Sequence, residues 1–179
     1  MRQALWESLP ELSTTRLTLR PLTEADRDAL FAIYGDAEVM RYASDEPFAD
    51  VAVVDRMLTS VQRLYAARES LEWGVALRQS GALIGTCGLH SFGQDRSGAE
   101  VGCLLARAYW GRGLMREVLE LVIGVGFGAL DLSELRAEID APNTRSHALF
   151  TRLGFARDAA SGISTLHRTA GSAASQHAR

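Results

Sequence analysis

The sequence predicts a mixed α/β (α+β) domain, and three observations carry that prediction. Strand-like apolar runs stand at residues 16–20, 71–77, 82–91, 99–106 and 135–140. Segments with helical spacing lie between or after them, at about 23–34, 50–68, 113–128 and 143–153. A glycine-rich turn, Tyr109-Trp110-Gly111-Arg112-Gly113-Leu114-Met115-Arg116-Glu117, joins one strand run directly to a helical run.

Each element has a local reason. Residues 1–13 read as a loose lead-in to a single domain spanning 14–169. Leu17 and Leu19 alternate with polar residues and point inward from the first strand. Thr23 is placed to cap the next helix, with Asp26 three positions on approximating a capping box. Residues 36–48 read as irregular up to Pro47. The helix over 50–68 repeats Val54, Met57, Leu58, Val61 and Leu64 at three- and four-residue spacing. Gln79-Ser80-Gly81 is turn chemistry between two strands of a hairpin, and 92–98 is a polar turn before the next strand. Gly124, Gly126 and Gly128 weaken the second half of the 113–128 helix; close packing on the sheet and simple tolerance are both open as reasons. Asn143 follows Pro142 as a good N-cap, and Gly154 ends that helix. Residues 156–162 are small and polar, 163–169 offer one further strand, and 170–179, low in apolar bulk, read as a disordered tail.

The turn at 109–117 is an anion cradle. Free backbone N–H groups at a helix start, together with the helix dipole, favour a phosphate there. Gly111 and Gly113 remove the Cβ atoms that would hold it off, and Arg112 adds a full charge. The guest best matched is a pyrophosphate. The chain has no Gly-x-x-x-x-Gly-Lys run for a nucleoside triphosphate, and Arg116 stands where a dinucleotide fingerprint needs its third glycine. Taken alone, the turn also fits a plain strand-to-helix connection.

A second segment, Asn143-Thr144-Arg145-Ser146-His147-Ala148-Leu149-Phe150-Thr151-Arg152-Leu153-Gly154-Phe155, resembles the final motif of the GNAT superfamily of acyl-CoA N-acyltransferases. The Tyr-Trp-Gly-x-Gly turn resembles that superfamily's pyrophosphate motif, and the run Thr15 to Asp26 resembles the start of its Rim-like branch. Ile84 to His90 and Ala99 to Leu105 look like its central strands. These pieces occur in order over about residues 14–155.

The resemblance implies a twisted, mostly antiparallel mixed sheet, with a V-shaped splay between two parallel strands and about four flanking helices. It implies acetyl-CoA as co-substrate, a primary amine as acceptor, and no metal. The pantetheine arm would bond to backbone at Cys103, Leu104, Leu105 and Ala106. The pyrophosphate would lie on Gly111, Arg112, Gly113, Leu114 and Met115. Asn143, Ser146 and Phe150 would complete the cofactor site. Glu100 is the candidate catalytic base, its plain alternative being a strand-end glutamate in a salt bridge or in water; His90 is a weaker proton-relay candidate. Many superfamily members carry a tyrosine acid at the Phe150 position. Phenylalanine cannot donate a proton, which leaves Ser146 or water near the leaving sulfur. The resemblance also implies two closing strands after Phe155, whereas the sequence offers only 163–169.

Composition narrows the class further. The 179 residues are 47% hydrophobic with a net charge of −3, which suits one domain burying roughly 70% of its unfolded surface. The charge is interspersed, so nucleic acid is not an expected partner, and the positive charge at Arg107, Arg112 and Arg116 is a local feature. Cys87 and Cys103 read as small buried hydrophobes rather than a disulfide framework. No secretory h-region and no apolar run of about 20 residues is present, so a soluble cytoplasmic protein without a membrane partner is expected. Its partners are then acetyl-CoA, an amine acceptor and, through an exposed sheet edge, a second copy in a homodimer. Three functions fit: acetylation of a protein or peptide α-amine; acetylation of a small amine, amino acid or antibiotic; and non-catalytic acyl-CoA binding.

Overall fold

The computed structural model describes residues 2–43 and 45–168; the tail expected over 170–179 lies outside them. Eight strands form one sheet in the order β1-β2-β3-β4-β5-β6-β8-β7. They are β1 (Leu12–Ser13), β2 (Leu17–Arg20), β3 (Leu71–Leu77), β4 (Leu83–His90), β5 (Gly98–Leu105), β6 (Glu134–Ala137), β7 (Ala156–Arg157) and β8 (Ser164–His167). Every neighbouring pair is antiparallel except β5 and β6. The helices are α1 (Arg2–Glu7), α2 (Arg27–Tyr34), α3 (Ala37–Met40), α4 (Ala52–Ala66), α5 (Leu114–Gly124) and α6 (Thr144–Arg152). None of the described helices is long and apolar enough to cross a membrane.

Strand alternation divides the core between the two faces. Leu17, Leu19, Leu71, Trp73, Val75, Cys87, Leu89 and Val101 join the α5 residues Val118, Leu119 and Val122 in one buried cluster. Leu30 of α2 with Val54 and Leu58 of α4 forms a second, smaller cluster. The α4 stripe is as its spacing predicts, although Met57, Val61 and Leu64 are only partly buried. Of the three glycines late in the α5 region, Gly126 has a packing role: an added Cβ would lie 3.2 Å from Leu135 Cδ1 of β6. Gly124 and Gly128 face open space, so they are tolerated rather than required. The α-helix gives way to one π turn, Val125–Ala129.

Three segments differ from the sequence expectation. The lead-in is not loose. Leu5 of α1 is buried, the Tyr65 hydroxyl donates to Leu5 O at 2.7 Å, and Trp6 packs on Tyr65 and Phe92 at 5.8 and 5.9 Å between centroids. Short amphipathic pieces such as this lack a readable period and are ordered by the surface that they cover. The 36–48 stretch contains α3, which Asp36 caps by accepting from Glu38 N at 2.8 Å. The polar 156–162 segment completes the closing hairpin: β7 pairs with β8, and β8 pairs with β6. Asp158 organises that turn, accepting from Ser161 N at 3.0 Å and from Ser161 Oγ at 2.6 Å. Both edge strands, β1 and β7, are two residues long, so little edge is offered for pairing with another sheet.

The entry to α2 is set by ionic capping. Asp26 accepts from Thr23 N at 2.9 Å and binds Arg20 through both carboxylate oxygens, at 2.7 and 2.8 Å. Burial pushes the Asp26 carboxyl up, but the hydrogen bonds from Arg20 and Thr23 and the Arg20 charge pull it below its ordinary value. A depressed carboxyl stabilises the fold above its unfolded pKa of about 4 and loses that contribution as pH falls. Asp26→Asn is therefore expected to cost about 1–3 kcal/mol near neutrality. The deficit in thermal melts should shrink steadily below about pH 4.

Candidate active site

The site begins where two strands part. The parallel ladder between β5 and β6 has three residue pairs, Gly98 with Glu134, Ala99 with Leu135 and Glu100 with Arg136. β5 continues to Leu105, whereas β6 ends at Ala137. Ala106 N donates to Ile84 O at 2.8 Å, so by antiparallel alternation Leu104 and Gly102 also turn their backbone toward β4. Cys103 and Leu105 turn theirs to the side that β6 has vacated. Of the four residues expected to bond a pantetheine arm through the backbone, Ala106 is thus spent on β4 and Leu104 faces the wrong way. Cys103 and Leu105 supply the free N–H groups. The Leu105 carbonyl already accepts from Trp110 Nε1 at 2.6 Å.

A cleft of about 360 Å³ opens along this gap. Cys103, Leu104 and Leu105 line it, as do Gly111, Gly113, Leu114 and Met115 from the turn and Asn143 and Ser146 from α6. Gly111 and Gly113 both have φ of +73°, a left-handed conformation that glycine adopts without strain. An added Cβ at Gly111 would meet no protein atom within 4 Å, so the glycines serve conformation and close approach rather than internal packing. With Gly113 as N-cap of α5, the first N–H groups of that helix open into the cleft. The turn is clamped from behind. Arg16 Nη1 donates to Arg112 O at 3.1 Å, and Arg16 Nε donates to Glu117 at 2.7 Å. Arg112 itself does not line the cleft; its guanidinium lies over the Tyr109 ring at 5.4 Å.

On the other arm, Asn143 caps α6 by accepting from Ser146 N at 3.2 Å. The Ser146 side chain is on the cleft. Phe150 is not. It is buried against Phe155 in an edge-to-face contact at 5.0 Å, whereas the resemblance would put it among the cofactor contacts. Sequence reasoning gave no role to Arg145, whose guanidinium stacks on Trp110 at 3.6 Å and joins the rims of the cleft. Glu38, Val39 and Tyr42 also wall the cleft. Glu38 and Val39 stand on α3, which the sequence reading leaves irregular, although Asp36 before a short apolar pair is an available signal.

Glu100 stands beside this cleft, not on it. It is partly buried, lies opposite His90 of β4 and Arg136 of β6, and shares a sheet face with Gly102 and Leu104. His90 Nδ1 meets Ser91 Oγ at 3.0 Å. A second carboxyl on this face, Glu72 of β3, was not anticipated. Burial pushes it up to about 7, with a hydrogen bond from Thr86 drawing it part of the way back. The Thr86 and Tyr34 hydroxyls share a 2.8 Å hydrogen bond, and burial raises the Tyr34 phenol well above its ordinary value. Burial also raises the Cys103 thiol to about 12, so this cleft-lining cysteine is no nucleophile near neutrality.

A carboxyl with a raised pKa binds more protons in the native state than in the unfolded chain. Stability therefore falls as pH rises from about 4.5 to about 7, and the full cost stands above that window. Glu72→Gln should raise the melting temperature at pH 8, by an amount worth about 1–3 kcal/mol, and leave it unchanged near pH 4.

The comparisons with known proteins agree with this geometry. A family model described as an acetyltransferase (GNAT) domain matches residues 16–156. An uncharacterized N-acetyltransferase of Bacillus subtilis, YoaA, is 34% identical over 149 residues, covering 83% of this chain and 84% of that protein. The spermidine N(1)-acetyltransferase of Escherichia coli K12 is 25% identical over 145 residues, covering 80% of this chain and 74% of that protein. The crystallised RimL, a ribosomal α-N-protein acetyltransferase in complex with coenzyme A, superposes with a TM-score of 0.78 at 14% identity, covering 88% of this chain and 98% of that one. A family model over most of the chain and a relative 34% identical across 83% of it show that the chain belongs to the GNAT acetyltransferases.

Proposed function

We propose that this acetyltransferase moves the acetyl group of acetyl-CoA to a primary amine by direct attack, and that it belongs to the Rim-like branch, acting on a protein or peptide N-terminal α-amine. The observation that carries the reading is continuity: one cleft runs from the Gly111–Gly113 turn to the open backbone of Cys103 and Leu105. A pyrophosphate seated on the turn leaves an extended arm free to lie along β5 as an added strand. The Cys103 or Leu105 N–H would then polarise the thioester carbonyl.

The amine nitrogen attacks that carbonyl, the N–C bond forms, and the C–S bond breaks. Glu100 is the proposed base for the proton shed as the N–C bond forms, directly or through one water. Ser146 lies on the cleft where the sulfur would leave, and a thiol with a pKa of roughly 8.5 needs little help to depart. A relative that acetylates spermidine supports a small-amine acceptor as the second reading.

Thiol release from acetyl-CoA across α-amino peptides, polyamines and amino acids tests the proposal. Turnover with at least one class is expected; coenzyme A binding with no turnover on any would leave a non-catalytic acyl-CoA-binding protein. Gly113→Val forces a β-branched residue into left-handed backbone. It should abolish calorimetric binding of coenzyme A in a protein that still folds. Glu100→Gln should lower kcat/KM by about 10²-fold with little change in the amine KM. Phe150→Tyr should change the rate little, since that side chain does not reach the cleft.

A further inference from the structure

The sheet face that carries Glu100 has a shallow trench cut across it. Residues on one face of neighbouring strands form rows. One row runs from Glu72 on β3 to Gly88 on β4 and Gly102 on β5. Two adjacent glycines leave the floor of that row without side chains, and polar groups from both sides fold over it. The Glu72 side chain lies across Gly88, where an added Cβ would collide with Glu72 Oε2. His90 reaches back over Gly102, its Nε2 only 3.1 Å from where a Cβ would stand. Nδ1 of that ring is turned to Ser91, so Nε2 is the nitrogen presented over the trench. Among the described residues, no cation pairs with Glu72 within 4 Å.

Close backbone approach accounts for Gly88, where a Cβ would also stand 2.6 Å from Leu71 O, but not for the carboxyl laid over it. A part-buried carboxyl without a cationic partner destabilises a fold, and Gly102 forgoes a side chain where only the His90 ring stands over it. Both become intelligible if a cation is brought to the trench. Its floor ends at Gly102, whose neighbour Cys103 presents open backbone to the cofactor cleft. Strands lie about 4.8 Å apart, so a group resting over Gly88 is one strand from β5.

We propose that Glu72 and His90 form the seat of the acceptor's amino group, so that the acceptor binds as a primary ammonium held by the Glu72 carboxylate over Gly88 and Gly102. The inference rests on the acetyl-transfer reading above and gives it a substrate class, a cationic primary alkylamine. An ammonium must lose two protons to become an amide. The first passes to the Glu72 carboxylate before attack and goes on to solvent. The second is taken by Glu100 as the N–C bond forms and is handed on to the coenzyme A sulfur as the C–S bond breaks. A carboxyl that burial has raised to about 7 is well matched to the first transfer near neutrality.

Titratable and polar groups approach Glu72 from α2, β4 and β5. On its own face are the Tyr34 phenol of α2, raised by burial, Thr86 and His90 of β4 and Glu100 of β5; on the opposite face lie the Cys87 and Cys103 thiols, both raised by burial, the latter to about 12. Asp45 acts on Tyr34 from the loop after α3.

The test uses the full chain with acetyl-CoA and two acceptors, spermidine and an alanyl peptide with a free α-amine. Glu72→Gln is expected to raise the amine KM about 10-fold or more, one decade being the minimum for a lost charge-assisted contact, with the acetyl-CoA KM unchanged. Wild-type amine KM should climb below about pH 7 as Glu72 protonates, and Glu72→Gln should lack that climb. Glu72→Asp should keep the climb and recover part of the affinity. Gly102→Ala fills the trench from another position and should weaken the same acceptor, which covers the case of a Glu72 variant that does not fold. In parallel, each amine is titrated by calorimetry into coenzyme A-loaded wild type and Glu72→Gln. Equal amine binding or an unchanged amine KM in Glu72→Gln, or no amine binding to wild type, overturns the proposal. Amine binding that depends on Glu72 but brings no thiol release upholds the seat and overturns the enzymatic reading alone.

Discussion

Everything at this site depends on β6 leaving β5 after three residue pairs. A sheet interior normally satisfies every backbone N–H and C=O, and a central strand that loses its neighbour would ordinarily be a defect. Here the other side of β6 is held by β8 over four residue pairs, so the strand is anchored while its partner side opens. The gap is bridged at its mouth by Trp110, which bonds the Leu105 carbonyl and supports Arg145. The unsatisfied groups are thus reduced to a few, and those few are the ones that an extended ligand can pair.

Much of this was readable from the residue order. Alternating apolar runs located β2 to β6, and the glycine pair with a helical run behind it located the turn into α5, because both signals are local. The parts that were not readable are those decided by distant contacts. α1 exists because Leu5 and Trp6 have Tyr65 and Phe92 to cover. The closing hairpin exists because Asp158 ties its turn and Leu166 packs on the main core, not because its strands are apolar. The orientation of Phe150 was not readable either: the helical face that bears it is turned to Phe155 and the core.

Glu72 shows the same limit at the level of chemistry. In the sequence it is one glutamate between Leu71 and Trp73, and alternation says only that it faces away from the main core. That its carboxyl lies against a glycine of the next strand, beneath a Thr–Tyr hydroxyl pair, follows from register across strands with no sequence proximity. Glu100, by contrast, stood out because it interrupts an apolar strand beside the cradle motif, and the structure leaves it next to the cleft with Arg136 and His90 as lateral neighbours.

The three tryptophans of the chain occupy three different environments. Trp73 is fully enclosed in the core, with its indole N–H bonded to Pro10 O at 2.9 Å, and Trp6 is packed at the far end with Tyr65, Phe92 and Arg96. Trp110 alone lies on the cofactor cleft, between a backbone carbonyl and a guanidinium. Of the three indoles, Trp110 is the one whose surroundings would change if a ligand entered the gap. The bond that closes the end of β5 therefore also fixes an indole where its emission would report on the cleft.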